Sequence, residues 1–335
     1  MSRQRKLTAF ARVFAIAGLV AGTGAGLHAP AAQAADPWPN KPVTVIVPFP
    51  AGGGTDAFAR PLTAQLSKQL GKQFVIDNRG GAGGTVGASL AAKAAPDGYT
   101  VFIGGAHHAI APSFYKKLDY DIEKDFVPIT VIAQPPQVIV VNPSKVQAST
   151  VKDLIAYAKA HPGQLNYASA GNGSAHHLAG ELFKLQTQTD LAHVPYKGAG
   201  PALSDLIAGQ VDLMFDGLGS SAQHIRAGRI KALAVASKTR SAAFPNVPTA
   251  AEAGVPNYEV STWYALWAPK GTPKEIVDKL YAETTKALNS PEMKAIWLQN
   301  GSDIPQFTQE QFAQFQRAEI KRWAEVVQRS GAKID

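Results

Sequence analysis

The feature that most constrains the fold is an alternation of short apolar runs with amphipathic segments of helical length. Such alternation is typical of parallel sheets that are covered by helices on their faces. The first series opens the chain after its N-terminal leader. It predicts strands at 43–47, 74–76 and 100–103, and helices at 55–70 and 86–93 between them.

A second series begins after the Pro135-Pro136 break. It predicts strands at 138–141, 166–168, 193–196, 211–215 and 232–236, with helices at 151–160, 175–187 and 201–208. An apolar, aromatic segment at 259–267 then leads to three helical patterns at 274–288, 291–299 and 309–329. Two wound series predict an α/β protein of two lobes, each a mostly parallel sheet flanked by helices. We expect lobe 1 to comprise 35–137 plus 260–335 and lobe 2 to comprise 138–259, so that the chain crosses between them twice.

Residues 1–34 have the pattern of a secretory signal peptide. Four basic residues precede an apolar run at 13–27, and Ala32-Gln33-Ala34 supplies the small-residue cleavage pattern. This pattern predicts export, with cleavage near Ala34. No later stretch approaches about 18 consecutive apolar residues, so we expect the exported chain to be soluble.

Cysteine content and charge exclude several classes of function. The absence of cysteine excludes disulfides, thiolate metal sites and a cysteine nucleophile. The formal net charge of +8 includes the four basic residues of the signal. The remaining excess is not clustered on one segment, so we expect no nucleic-acid partner.

Two glycine-rich loops each join a predicted strand to a predicted helix. The first spans 48–56 and contains Gly52-Gly53-Gly54, and the second spans 169–177 and contains Gly171 and Gly173. Glycine lets a backbone approach a ligand closely, and the free N–H groups of a first helical turn attract anions. Two such loops in opposed lobes could hold one carboxylate between them. The alternative is that each loop is only a tight turn with a capping residue.

Further polar residues follow other predicted strands, and they raise two alternatives. The pairs His107-His108 and His176-His177, with Asp216, are residue types that bind zinc. Adjacent histidines point apart, however, and no His-x-x-x-His pattern accompanies them. Ser174 with His177 and Asp216 has the composition of a serine hydrolase, but the Gly-x-Ser-x-Gly elbow is absent. We therefore expect no catalytic residue, no metal ion and no cofactor.

Several motifs in collinear order resemble one family. They are Pro48-Phe49-Pro50-Ala51-Gly52-Gly53-Gly54-Thr55-Asp56, Asn78-Arg79-Gly80-Gly81-Ala82-Gly83-Gly84, Pro96-Asp97-Gly98-Tyr99-Thr100, Val194-Pro195-Tyr196-Lys197-Gly198, Gly209-Gln210-Val211-Asp212 and Pro245-Asn246-Val247-Pro248-Thr249. From about Trp38 to its C-terminus the chain resembles the Bug-type receptors of tripartite tricarboxylate transporters.

This resemblance implies a periplasmic-binding-protein-like fold with the ligand cleft between the lobes. It also implies a monomeric periplasmic receptor that captures a small carboxylate and delivers it to the integral-membrane subunits of a secondary transporter. A ligand-sensing adaptor that feeds no carrier would share the same cleft.

The glycine-rich loops and the family resemblance together predict one set of ligand-binding residues. The set is Phe49, Ala51, Gly53, Gly54, Thr55, Asp56, His107, His108, Ser169, Gly171, Ser174, His176, His177, Tyr196 and Asp216.

Two of these residues depart from what the family leads us to expect, namely His107 and His176. If both reach the cleft from opposite lobes, they could donate hydrogen bonds to a second acceptor end of the ligand, such as a second carboxylate. An aromatic ligand would fit between Phe49 and Tyr196. The alternative is that both histidines face solvent or cap their helices.

Overall fold

The structure is a computed structural model that describes residues 38–330, and side chains up to residue 329. The predicted signal peptide at 1–34 lies outside the described residues. Among residues 38–330, no helix has the length and apolar character needed to cross a membrane.

Within residues 38–330, ten strands form two five-stranded sheets, one in each lobe. The sheet of lobe 1 has the order β2-β1-β3-β10-β4 and that of lobe 2 has the order β7-β6-β8-β5-β9. In lobe 1 the strands are β1 (Val43–Val47), β2 (Phe74–Asn78), β3 (Thr100–Gly105), β4 (Phe126–Ala133) and β10 (Tyr264–Pro269). In lobe 2 they are β5 (Gln137–Val141), β6 (Asn166–Ser169), β7 (Ala192–Pro195), β8 (Leu213–Gly217) and β9 (Lys231–Val235).

Each sheet contains one strand that runs against the other four. In lobe 1 this strand is β10, which pairs antiparallel with β3 and β4, and in lobe 2 it is β5, which pairs antiparallel with β8 and β9. Both are the first strands after a crossing between lobes. The chain leaves each sheet at the carboxyl ends of its parallel strands, where the cleft lies. The next strand therefore begins beside the cleft in the other sheet and runs away from it. The first residue of β10, Tyr264, is therefore placed at the cleft.

In the described part of the chain, ten α-helices connect and cover the sheets. They are α1 (Gly54–Leu70), α2 (Thr85–Ala92), α3 (His107–Phe114), α4 (Val151–Ala160), α5 (Ala175–Thr187), α6 (Ala199–Ile207), α7 (Leu218–Arg226), α8 (Lys274–Leu288), α9 (Pro291–Gln299) and α10 (Gln309–Ser330). A single 3-10 turn, Ala82–Gly84, precedes α2.

The long helix α10 packs against both lobes. It contacts α3 and β4 of lobe 1 and α5 of lobe 2. Buried Glu319 on this helix accepts hydrogen bonds from the indole N–H groups of Trp263, at 2.8 Å, and Trp323, at 3.1 Å. Because Trp263 lies in the second crossing segment, α10 is anchored to the hinge region as well as to the lobes.

The α/β elements of both predicted series are present, with ends that move by a few residues. Four elements of the structure are not among the predicted ones, namely α3, α7, β4 and β10. Strand β4 was overlooked because Pro128 interrupts its apolar run; the residue is tolerated because β4 is an edge strand that pairs only with β10. The predicted boundaries at 137/138 and 259/260 lie beside the two crossing segments, and this division of the lobes stays a proposal.

Candidate ligand-binding cleft

A cavity lies between the two lobes and encloses about 350 Å³ of space, part of it open to solvent. Lobe 1 and the second crossing contribute Phe49, Gly53, Gly54, Thr55, His107, Thr262 and Tyr264, and lobe 2 contributes Ala170, Ser174, Ala175, His176 and Ala199. The space that a water-sized molecule can occupy is only about 20 Å³, so the two lobes lie close together around this cavity.

The N-terminus of α1 faces this cavity without a side-chain cap. Gly53 is the N-cap residue with φ of −89°, and no side chain bonds to the first turn. A Cβ atom on Gly54 would lie 2.9 Å from Cζ of Tyr264 and closer still to its hydroxyl oxygen. Glycine is therefore required for Tyr264 to approach the helix, and the first-turn N–H groups stay open to the cavity.

Asp56, predicted to bind ligand, instead holds the glycine loop together. Its Oδ2 atom accepts the N–H of Gly52 at 3.0 Å and the Nε–H of Arg60 at 2.7 Å. The side chain of Asn78 donates both to the backbone oxygen of Phe49 and, at 3.4 Å, to Asp56. Asp56 does not line the cavity, because its carboxylate already has these partners.

The N-terminus of α5 enters from lobe 2. Ser174 is its N-cap residue, and the hydroxyl oxygen accepts the N–H of His177 at 3.2 Å. Gly171 and Gly173 have φ of +118° and +72°, a region that favours glycine. A Cβ on Gly173 would lie 2.5 Å from the ring of Phe114, so this loop also packs closely against lobe 1.

A third helix N-terminus, that of α6, meets the other two. Ala199 lines the cavity, and a Cβ on Gly53 would lie 3.6 Å from the backbone nitrogen of Gly200. The sequence predicts this helix from 201, two residues late, and gives no signal that its start contributes to the site. Three helix N-termini therefore converge on one cavity, and their N–H groups and dipoles together favour the binding of an anion.

His107 and His108 point in different directions. His107 lines the cavity with its ring edge-on to Phe49, at 4.6 Å between ring centroids. His108 points into the core of lobe 1, where its Nδ1 atom lies 3.0 Å from the hydroxyl of Tyr120. Burial lowers the pKa of His108 to about 3, and burial together with His108 and His176 lowers the pKa of His107 well below its usual value. His108 does not line the cavity in this structure, because the turn of α3 directs it inward, and its part in ligand binding stays a prediction.

His176 and Asp216 meet at the lobe 2 side of the cavity. The Oδ2 atom of Asp216 accepts hydroxyl hydrogen bonds from Ser220, at 2.7 Å, and Ser221, at 2.6 Å. Its Oδ1 atom lies 3.3 Å from Nε2 of His176, within ion-pair range but not aligned as a hydrogen bond. Burial lowers the pKa of His176, and the nearby carboxylate of Asp216 opposes this shift. Asp216 is fully buried and acts on the cavity through His176.

Several other predicted residues support the loops and do not line the cavity. The hydroxyl of Ser169 lies 2.6 Å from Nε2 of His193, and the ring of His177 stacks on the same imidazole at 4.1 Å. Tyr196 donates its hydroxyl to Asp205 at 2.7 Å. Gly171 is packed beneath the backbone of Tyr196, and exposed Ala51 contacts α6 through its carbonyl. The proposal of an aromatic ring held between Phe49 and Tyr196 therefore lacks one of its two walls.

The seven predicted residues that do line the cavity are Phe49, Gly53, Gly54, Thr55, His107, Ser174 and His176. Sequence reasoning missed Ala170, Ala175, Ala199, Thr262 and Tyr264. Only the aromatic segment at 259–267, directly after the second predicted crossing, gave a signal for the last two. Within residues 38–330, no three His, Cys, Asp or Glu side chains are grouped so as to hold a metal ion.

Two α/β lobes with one cavity between opposed helix N-termini define the class of two-lobed solute-binding proteins. The sequence model described as the tripartite tricarboxylate transporter family receptor matches residues 58–332, and the protein belongs to this family. The resemblance to Bug-type receptors is thereby confirmed.

Similar proteins support this placement. Protein BugT of Bordetella pertussis is 40% identical over 325 residues, which cover 96% of this chain and 98% of BugT. A structure from R. palustris with adipate is 40% identical, has a TM-score of 0.86, and the match covers 89% of this chain and all of that one. MatC from Rhodopseudomonas palustris with bound malate is 37% identical, has a TM-score of 0.82, and the match covers 86% and 99% of the two chains.

Proposed function

We propose that this protein is a periplasmic receptor that captures a small carboxylate between its lobes and delivers it unchanged to a membrane carrier. The observation that carries this proposal is the convergence of three helix N-termini, those of α1, α5 and α6, on one cavity. Their free N–H groups donate to a carboxylate directly or through bridging water. The adipate and malate in the two R. palustris structures are carboxylates, which supports the same ligand class.

The residues that once suggested hydrolysis have structural tasks. Ser174 accepts the N–H of His177 as a helix cap, and the His177 ring stacks on His193. Asp216 accepts from two serines and approaches His176, which is a different histidine from the one a Ser174 triad would use. This arrangement favours binding without chemistry.

Calorimetry on residues 35–335 tests the ligand class. The panel contains aliphatic and aromatic mono-, di- and tricarboxylates, with sugars and inorganic cations as controls. We expect saturable binding only to carboxylates, and a ligand that selects the folded state will raise the melting temperature with the logarithm of its excess over Kd. Binding of sugars or cations alone would contradict the proposal. NMR of the recovered ligand should show it unaltered.

Delivery and export need cellular experiments. In cells that carry the cognate membrane subunits, deletion of this receptor should abolish uptake of the labelled ligand, and expression in trans should restore it. Uptake that is unaffected by the deletion would favour the adaptor alternative. Cell fractionation and N-terminal sequencing should find the mature chain in the periplasm, beginning near Ala35.

A further inference from the structure

Two imidazoles from opposite lobes line the cleft with unsatisfied nitrogen atoms. His107 is 6% exposed and His176 is 8% exposed. Among the described residues, Nε2 of His107 and both ring nitrogens of His176 lack a hydrogen-bond partner. Buried polar atoms are normally paired, because leaving them unpaired costs free energy. Their position on the cavity wall indicates that the partner is supplied by a bound molecule.

The surroundings of Asp216 determine which nitrogen of His176 is available. Ser220 and Ser221 occupy Oδ2 of this carboxylate, and Oδ1 faces Nε2 of His176 at 3.3 Å. With Nε2 of His176 directed at Asp216, Nδ1 is the ring nitrogen that remains available to a molecule in the cavity. In neutral imidazole one nitrogen donates and the other accepts, so both can donate only in the protonated ring. Donation toward Asp216 and toward a ligand at the same time therefore requires a proton.

We propose that His107 and His176 form a second anion subsite that recognises the distal carboxylate of a dicarboxylate, with one proton taken up on binding and Asp216 as the positioning residue. This inference rests on the proposed function, since the first carboxylate occupies the helix N-termini. The distal carboxylate accepts from Nε2 of His107 and Nδ1 of His176. The proton comes from solvent and resides on His176 between two carboxylates.

The charged groups around the pair agree with this assignment. On α3, His108 points inward to Tyr120, and on β10 the neighbouring wall residue is Tyr264. On α7, Ser220 and Ser221 are neutral, and His224 lies near enough to Asp216 to feel its charge.

The remaining groups leave Asp216 as the negative charge that acts on His176. The α1 carboxylate, Asp56, is already paired with Arg60. On α5, the ring of His177 stacks on His193 and away from the cleft pair. Burial lowers the pKa of both cleft histidines in the ligand-free protein, whereas a bound dicarboxylate adds the negative charge that favours the protonated ring. Affinity therefore rises as the pH falls.

Calorimetry with matched ligands tests the subsite. Adipate and hexanoate share a six-carbon chain and differ in the second carboxylate. We expect adipate to bind about 10- to 100-fold more tightly, the scale of hydrogen bonds to charged groups. His176→Gln and His107→Gln should each reduce that preference about tenfold or more, whereas His161→Gln, a histidine on the outer end of α4, should not. The series of dicarboxylates from malonate to suberate shows which carbon-chain length places the second carboxylate at the two histidines, because that ligand should bind most tightly.

Proton uptake provides an independent readout. When binding takes up protons, the buffer supplies them, and the observed binding enthalpy includes the ionisation enthalpy of the buffer. The binding enthalpies measured in phosphate and in Tris at one pH therefore differ by the number of protons taken up multiplied by the difference between the two ionisation enthalpies. We expect about one proton with adipate and none with hexanoate. Asp216→Asn keeps the shape of the side chain but removes its charge, and should reduce the uptake.

The outcomes separate the two proposals. Equal uptake in the wild type and His176→Gln, or equal affinity for adipate and hexanoate, would overturn the subsite while leaving carboxylate capture intact. Failure of every carboxylate to bind would overturn the proposed function itself. Circular dichroism and melting curves of each variant establish that a loss of binding is not a loss of folding.

Discussion

Substitution of Gly54 by alanine should damage both stability and ligand binding. The new Cβ would lie 2.9 Å from Cζ of Tyr264 and closer still to its hydroxyl oxygen, whereas ordinary contact begins at 3.4 Å. The Tyr264 hydroxyl would have to move by roughly 1 Å in a close-packed site. It has little room to do so, because Tyr264 is 3% exposed and its ring packs on that of Phe58 at 5.4 Å between centroids.

The magnitude follows from two opposing effects. Overpacking a filled site costs about 1–3 kcal/mol. Alanine in a helix recovers about 0.5–1 kcal/mol relative to glycine. We therefore expect Gly54→Ala to lower the free energy of unfolding by about 1–2 kcal/mol, and the melting temperature by about 2–6 °C for a chain of this size. Affinity for the carboxylate should fall as well, since Gly54 and Tyr264 both line the cavity.

Urea denaturation and calorimetry of a double-mutant cycle isolate the steric cause. Tyr264→Phe removes the hydroxyl that stands closest to the new Cβ, so Gly54→Ala/Tyr264→Phe should be more stable than the sum of the single effects by about 0.5–1 kcal/mol. Gly54→Ala as stable as the wild type, or no coupling with Tyr264→Phe, would show that the argument from close approach is wrong.

Three further predictions concern acid stability, the contact between lobes and the anchor of α10. The pKa of His108 is about 3 in the folded protein and about 6.5 in the unfolded chain, so the stability that neutral His108 contributes is complete above pH 6.5 and is lost as the pH falls toward 3. In the wild type this group should make the free energy of unfolding about 1.4 kcal/mol lower at pH 5.5 than at pH 7.5. Urea titrations at the two pH values should show that His108→Gln lacks this part of the difference. Tyr115 donates its hydroxyl to the carbonyl of Asn172 at 2.8 Å, and stopped-flow measurements should find that Tyr115→Phe releases ligand about 2- to 10-fold faster, whereas an unchanged rate would refute a role in closure. Glu319→Ala leaves buried indole donors such as that of Trp263 unpaired and should cost about 2–4 kcal/mol in urea denaturation, with Glu319→Gln, which keeps an acceptor, clearly milder.

Some elements were predictable because their signal is local. The strand at Val43–Val47 is a run of β-branched residues buried on both faces, and the helix at Gly54–Leu70 follows directly from its spacing and glycine start. The helices α3 and α7 were missed because each begins within a residue or two of a strand and opens with residues that read as a loop. Strand β10 was left unassigned because its aromatic segment follows a crossing and carries no alternation.

The candidate site divides in the same way. Two of the three helix N-termini could be identified from the glycine-rich loops before them, because glycines that allow a close backbone approach are adjacent to the helix in the sequence. The third, at Ala199, is a cavity wall because the start of α6 packs against the glycine loop before α1, across the lobes.

The sequence by itself determined the class of fold, the two glycine-rich loops of the candidate site and the residue types available in the cleft. Tertiary structure decided which of those residues point into it. His107 lines the cavity while its neighbour His108 lies in the core, and Asp56 holds a loop while distant Tyr264 forms a wall. The physical reason is that backbone conformation is favoured by neighbours in sequence, whereas the direction of a side chain and the convergence of segments far apart in the chain depend on how the whole core packs.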